Sequence, residues 1–389
     1  MRFSSFSDEW TTTLLKDSAS FYKGTGISKE ELSEEGHPCI LYGELYTTYK
    51  TEKIEDVKSK TSLPAEKLVK SKANDVIIPA SGETPIDIAT ACCIMNDDIL
   101  LGGDLNIIRI KNHNGLFLSC QLNGKRKLDI AKIAQGASIV HLHNDDLKKL
   151  KCYFPRTLCE EEKIVAFLSK IDERIETQSK IIEDLELVKK GISNTVFGDK
   201  SVIKKSWETV KLSTILKERK TYDIKDSVYP HATLSKEGIS AKTDRYNRDF
   251  LVKDEEKEYK ITHLNDICYN PANLKFGVIC LNTFGDAIFS PIYVTYEIDN
   301  KCDPYFLSLY LTNPTFIGHI RKYEQGTVYE RMAVSSEDFL KGEIHLPTYE
   351  EQLKIAKTFK SIDEKIAIEQ AILDKLKEQK KFLLSNMFI

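Results

Sequence analysis

Two tandem α+β domains, each followed by a long helix, with the two helices paired as an antiparallel coiled coil: this is the fold that the 389-residue sequence predicts. Three observations carry it. The segment Glu160–Phe197 recurs as Glu351–Phe388 at an offset of 191, with 12 identities in 38 aligned positions, where chance gives about two or three. Both copies step their apolar residues by alternating fours and threes, the 3.5-residue period of a coiled coil. The remaining segments, residues 1–153 and 198–345, are alike in size and open on similar phrases, WTTTLLKDSASF from Trp10 and WETVKLSTIL from Trp207.

The domains follow from short β-rich runs between Gly, Asn, Asp and Pro punctuation. In the first half these are Asp75–Ala80 and Ile107–Asn112, with a helix expected near Gly115–Asn123. In the second they are Asp266–Pro271, Phe276–Leu281 and Pro291–Ile298, with a helix expected over Pro304–Tyr323. The chain thus divides into a first domain at 1–153, a first helix at 154–197, a second domain at 198–345 and a second helix at 346–389.

In the first long helix the seam reads Ile164, Leu168, Ile171, Ile175, Ile182 and Leu185; in the second, Ile355, Phe359, Ile362, Ile366, Leu373 and Leu376. Polar residues interrupt both seams at matching places, Gln178 with Glu369 and Lys189 with Lys380. Chain order makes the pair antiparallel, because the second helix must run back along the first from the second domain. At ~1.5 Å per residue each helix spans roughly 57 Å, a spacer with a domain at either end and a pseudo-two-fold axis between. The expected register sets Lys189 against Glu369 and Gln178 against Lys380, which leaves no buried charge unpaired. The same symmetry brings Phe388 beside Trp10, so the two chain ends should be neighbours.

Composition removes several function classes. No run approaches the ~18 apolar residues of a membrane span, and the polar, acidic Met1–Trp10 is no secretory signal. The nine cysteines form no CxxC pair, so reduced thiols in a cytoplasmic protein are expected rather than disulfides or a zinc site. Net charge is −3. Lys and Arg against Asp and Glu number 20 to 21 in residues 1–153, 7 to 9 in 154–197, 21 to 22 in 198–345 and 8 to 7 in 346–389. No segment is a histone-like basic binder, so any nucleic-acid contact must come from local clusters.

The motifs PRTLCEEEKIVAFLSKIDERI and PTYEEQLKIAKTFKSIDEKI, the W-led domain starts, FYKGTGISKEELSEEGHPCILYGELYTTY and ILLGGDLNIIRIKNHNGLFLSCQLN in the first half, and ICYNPANLKFGVICLNTFGDAIFSPIYVTYEIDNKCDPYFLSLYL in the second resemble the specificity (S, HsdS) subunits of Type I restriction–modification systems. The likeness covers essentially the whole chain. It implies two target recognition domains, each reading half of a bipartite site on double-stranded DNA, on helices that set the spacing and dock two methyltransferase subunits. Two restriction subunits can join such a complex. The resemblance further implies that the chain has no catalytic residue and holds no cofactor or metal. S-adenosylmethionine belongs to the methyltransferase partner, and ATP and Mg to the restriction partner. The competing reading is a two-headed coiled-coil protein scaffold that does not read DNA.

Candidate DNA contacts fall in clusters that mix charge with side chains able to bond base edges. They are Arg109 and Lys111 at a strand end, Lys125 and Arg126 after a Gly turn, Arg245 and Arg248, and Asn270 with Lys275. FYKGTG lies near the FxGxG loop of methyltransferases but has one residue too many. It reads as a turn of the first recognition domain, with Lys23 and Thr25 as contacts. NPAN at Asn270–Asn273 lacks the second proline and the aromatic of an adenine-holding NPPY motif. Asp172–Glu173 and Asp363–Glu364 sit adjacent on helices, where neighbours do not face each other, and read as a solvated face or docking surface. His141 and His143 have no third ligand in view, and no Walker A string exists.

Overall fold

The structure, a computed structural model, describes residues 2–136, 139–223, 228–242, 258–326 and 332–388. The chain splits into two compact units, Met1–Ser179 with Ala371–Ile389, and Lys180–Gln370.

In the first unit the central sheet runs Ala19–Lys23, Leu105–Ile110, Asp75–Pro79, Cys92–Ile94, each strand antiparallel to the next, with Lys53–Ile54 added in parallel at the far edge. Asp75–Pro79 is buried at every position, as a strand covered on both faces must be. Helix Gly115–Asn123 covers it, buried from Gly115 to Leu122 and started by Asn114, whose side chain accepts from the Phe117 N–H. A smaller sheet, Leu100–Leu101, His37–Ile40, Ser59–Thr61, Leu32–Ser33, has its own core of Ile27, Cys39, Leu41 and Leu100. The ribbon Thr11–Leu14 with Lys151–Phe154 leads into the first long helix.

The second unit repeats this plan. Its sheet runs Leu216–Glu218, Val294–Ile298, Ile267–Tyr269, Ile279–Leu281, the same chain order of first, fourth, second and third strand. Helix Pro304–Leu311 is started by Asp303, which accepts from the Phe306 N–H, and the ribbon is Glu208–Lys211 with Glu343–Leu346. The correspondence reaches single residues. Asn74 and Asn265 both take the left-handed conformation, at φ 79° and 69°. The buried Asp that follows each holds an arginine, Asp75 with Arg109 on the adjacent strand and Asp266 with Arg219 just past strand Leu216–Glu218.

The helix expected over Pro304–Tyr323 is two helices, Pro304–Leu311 and Pro314–Ile320, followed by a 3₁₀ turn at Arg321–Tyr323. Pro314 brings no N–H, and Asn313 caps the second piece by accepting from Thr315.

The long helices span Leu158–Phe197 and Tyr349–Asn386. In the first unit Ile164, Leu168 and Ile171 share one core with Leu383, Leu384, Met387 and Phe388. In the second, Val196 and Phe197 share one with Ala356 and Phe359. The start of each helix therefore packs with the end of the other, which is antiparallel pairing. Of the seam, Ile164, Leu168, Ile171, Ile182, Phe359, Leu373 and Leu376 are buried, and Ile175, Leu185, Ile355, Ile362 and Ile366 are half-buried.

The polar register differs from expectation. Lys189 bonds Asp363 at 2.5 Å, not Glu369, and Lys380 bonds Asp172 at 2.6 Å, not Gln178. Glu369 pairs with Lys365 on its own helix, and Gln178 is buried. The residue numbers in the two cross-helix pairs have the same sum, as one antiparallel register requires. Asp172 and Asp363 each follow a seam isoleucine, and a lysine stem lying along the seam reaches that flank. They are therefore paired across the coil rather than left on a solvated face.

Aromatic residues seat each domain on its helix ends. Phe117 meets Phe388 at 5.1 Å and Trp10 at 5.6 Å between centroids. Phe306 meets Phe197 at 5.7 Å and Trp207 at 6.1 Å. Phe388 and Trp10 are thus neighbours through Phe117, as symmetry predicted. The helix starts anchor in matching fashion. Glu161 accepts from the backbone N–H of Asn114 at 2.7 Å, and Gln352, at the matching place, from that of Asp303 at 2.8 Å.

Candidate nucleic-acid interface

The expected contacts divide into exposed cations and residues the fold has already engaged. Lys23 ends the strand Ala19–Lys23 and is exposed. The next turn is forced by close approach: a Cβ on Gly24 would stand 1.9 Å from the Gly102 carbonyl oxygen. Beyond it Thr25 accepts from the Val69 N–H at 3.3 Å. Phe21–Lys23 close the strand Ala19–Lys23 and only Gly24–Gly26 leave it toward the smaller sheet, so the turn expected over FYKGTG is confined to its second half.

Arg109 lies on the neighbouring strand, where Asp75 takes its guanidinium through two hydrogen bonds at 2.8 and 2.7 Å. That hydrogen bonding raises the arginine pKa further. The Tyr22 ring lies 4.9 Å from the same group. Arg109 therefore ties the central strands together, and Lys111, two residues on, is exposed.

Lys125 is exposed on the turn after helix Gly115–Asn123. Arg126 beside it bonds Asp129 at 2.8 Å and lies 4.7 Å from the Tyr153 ring. The turn abuts the second long helix, since a Cβ on Gly124 would stand 2.0 Å from the Leu384 carbonyl oxygen. Arg245 and Arg248 lie outside the described residues.

Asn270 is buried, and its side chain accepts from the Ala272 N–H at 3.1 Å. It shapes the loop, while Lys275 and Phe276 are exposed on it with 5.1 Å between ammonium and ring. Gly277, at φ 83°, turns the chain back into strand Ile279–Leu281. The equivalent loop of the first domain, between Asp75–Pro79 and Cys92–Ile94, exposes Ile86. Sequence reading named Asn270 and Lys275 on the second loop but missed Phe276 beside them and Ile86 on the first. The signal was the Pro-Ala at or just past the end of each buried strand, Pro79–Ala80 and Pro271–Ala272.

The structure thus brings Lys23 and Arg109 onto adjacent strands and Asn270 and Lys275 onto one loop, and puts Lys125 and Arg126 against a long helix. No cluster of three or more His, Cys, Asp or Glu fit for a metal occurs among the described residues. Burial pushes the Cys93 thiol up to about 12 and the Cys39 thiol up to about 11, which keeps both protonated and unreactive. No helix among the described residues is long and apolar enough to cross a membrane.

The fold recurs in solved structures. The S subunit of a Type I restriction-modification system from M. genitalium is similar at a TM-score of 0.57 and 16% identity, over 98% of this chain and 96% of that one. A chain from a study of complex assembly and conformational transition of the type I R-M system is similar at 0.61 and 15%, over 97% and 96%. No curated protein matches in sequence. The family described as Type I restriction modification DNA specificity domain matches twice, over residues 7–187 and 204–378. Two matched copies, the same two repeats that the sheet order and helix anchors display, place this chain in the Type I restriction–modification DNA specificity family.

Proposed function

We propose that this chain is the DNA-reading subunit of a Type I restriction–modification complex. Each domain reads one half of a bipartite site on double-stranded DNA. The paired long helices set the spacing and dock two methyltransferase subunits, with two restriction subunits joining for cleavage of unmodified DNA. The chain itself carries out no catalysis. Adenine methylation draws on S-adenosylmethionine held by the methyltransferase partner, and cleavage on ATP and Mg held by the restriction partner. The carrying observation is the repeat of one sheet order on two oppositely directed helices: a reading unit used twice on a spacer of fixed length multiplies specificity without enlarging either unit.

Within each domain the exposed lysines Lys23, Lys111, Lys125 and Lys275 contact phosphate, and the loop tips at Ile86 and Phe276 approach the bases. The near-neutral charge leaves further phosphate contacts to the partners. Purification together with the proteins encoded beside it tests the proposal. A co-purifying methyltransferase, and adenine methylation at a split site in cells carrying both, are the expected results. A two-headed complex without DNA binding or methylation would favour the protein scaffold.

A further inference from the structure

A pocket of about 240 Å³ lies in the second unit, where the linker leaves the first long helix. Ser201 and Lys204 line it from the linker, Tyr310 and His319 from the split helix, and Glu343 and His345 from the ribbon strand. Ser201 is nine-tenths buried, and its hydroxyl has no hydrogen-bond partner within the chain, which is uncommon for a buried polar side chain. Lys204 gives one N–H to the Phe197 carbonyl at 2.9 Å, capping the helix, and keeps two further donors. Burial lowers the Lys204 pKa, and burial together with Lys204 lowers that of His345. Lys204 thus holds the His345 imidazole neutral beside its own ammonium, and an anion seated between them offsets that penalty on the protonated ring.

A second lobe of about 210 Å³ shares the His319, Glu343 and His345 wall and adds Lys322 and Tyr323. The whole is larger than a bare phosphate needs. Asp199, paired with His319 at 3.2 Å, and Glu343 supply carboxylate acceptors for hydroxyl groups. In the first domain Tyr153 stands where His345 does, with Arg126 over its ring.

We propose that this pocket binds a phosphorylated sugar of about the size of ribose 5-phosphate, the phosphate on Ser201, Lys204 and His345 and the sugar hydroxyls on Glu343 and Asp199. Calorimetric titration of the full chain with ribose 5-phosphate, inorganic phosphate and ribose, at constant ionic strength, tests it. The expected result is one saturable site for ribose 5-phosphate, roughly tenfold tighter than for phosphate or ribose alone, and weakened roughly tenfold by Ser201→Val and by His345→Phe in proteins that melt as the parent does. Absence of saturable binding by the parent chain, equal binding of inorganic phosphate, or unchanged affinity in both folded variants would overturn the proposal.

Discussion

Lys380 holds two carboxylates at once, Glu52 from the first domain and Asp172 from the first long helix, with only 15% of its side chain exposed. Lys380→Met leaves both carboxylates without their cation, so unfolding free energy should fall by about 2–4 kcal/mol in chemical denaturation. Its counterpart Lys189 is more exposed, and Asp363 has a second donor in the Tyr305 hydroxyl. Reversing the charges together, Lys189→Asp with Asp363→Lys, should recover about 0.5–1 kcal/mol of what the single changes lose. Simple additivity in that cycle would break the register described above. These four coil residues were legible as identities conserved between the two repeats, yet their pairing was not. Glu52 and Tyr305 lie far away along the chain, and period alone cannot show which flank of a seam a long lysine will reach.

Glu160 gives a pH test at the same scale. Burial pushes its carboxyl up, but hydrogen bonds from Arg2 and Trp10 outweigh burial and hold it below the ordinary 4.5. A carboxylate with a depressed folded pKa adds stability above its unfolded value and loses it as pH falls through the folded one. Glu160→Gln should therefore cost stability at pH 6 and cost progressively less on acidification below about pH 4.5, read from melting curves across that range. A pH-independent cost would contradict the assignment.

At the scale of elements, each domain is seated by one phenylalanine between a tryptophan and the end of a long helix. Phe117→Ala or Phe306→Ala should cost about 3–5 kcal/mol, with the loss confined to the unit that carries the change, measurable by hydrogen exchange. The helices were legible because a 3.5-residue period sustained over ten turns has few alternatives. The sheets were legible as runs but not as an order, since strand pairing depends on contacts remote in sequence. The break at Asn313–Pro314 was written in the chain as a turn dipeptide, but the apolar pattern continues across it and masked the stop. Shortening both long helices by one heptad removes ~10 Å from each. In the proposed function that changes the gap between half-sites and leaves the bases read in each unchanged.

At the scale of the molecule, the first unit gathers both ends of the chain, Met1–Ser179 with Ala371–Ile389. A circular permutant opened within Gly198–Ser206, with the old ends joined, should fold to the same two units and melt near the parent. Two-foldness was legible because repetition survives in the helices as identical residues, and in the domains only as matched phrases around Trp10 and Trp207. The candidate interface was less legible. Arg109 and Asn270 look like base readers in sequence, yet each is engaged by the fold, through Asp75 and the Ala272 turn. Polar side chains that bond bases and those that brace a turn are the same residue types, and only burial separates them.

In the proposed function, two separable units read two separable half-sites. The direct measurement is methylome sequencing of cells that carry the methyltransferase partner and a chain in which residues 1–153 come from a relative of different specificity. The expected result is that one half-site changes while the other half-site and the gap between them persist. A change in both half-sites together, or in neither, would contradict it.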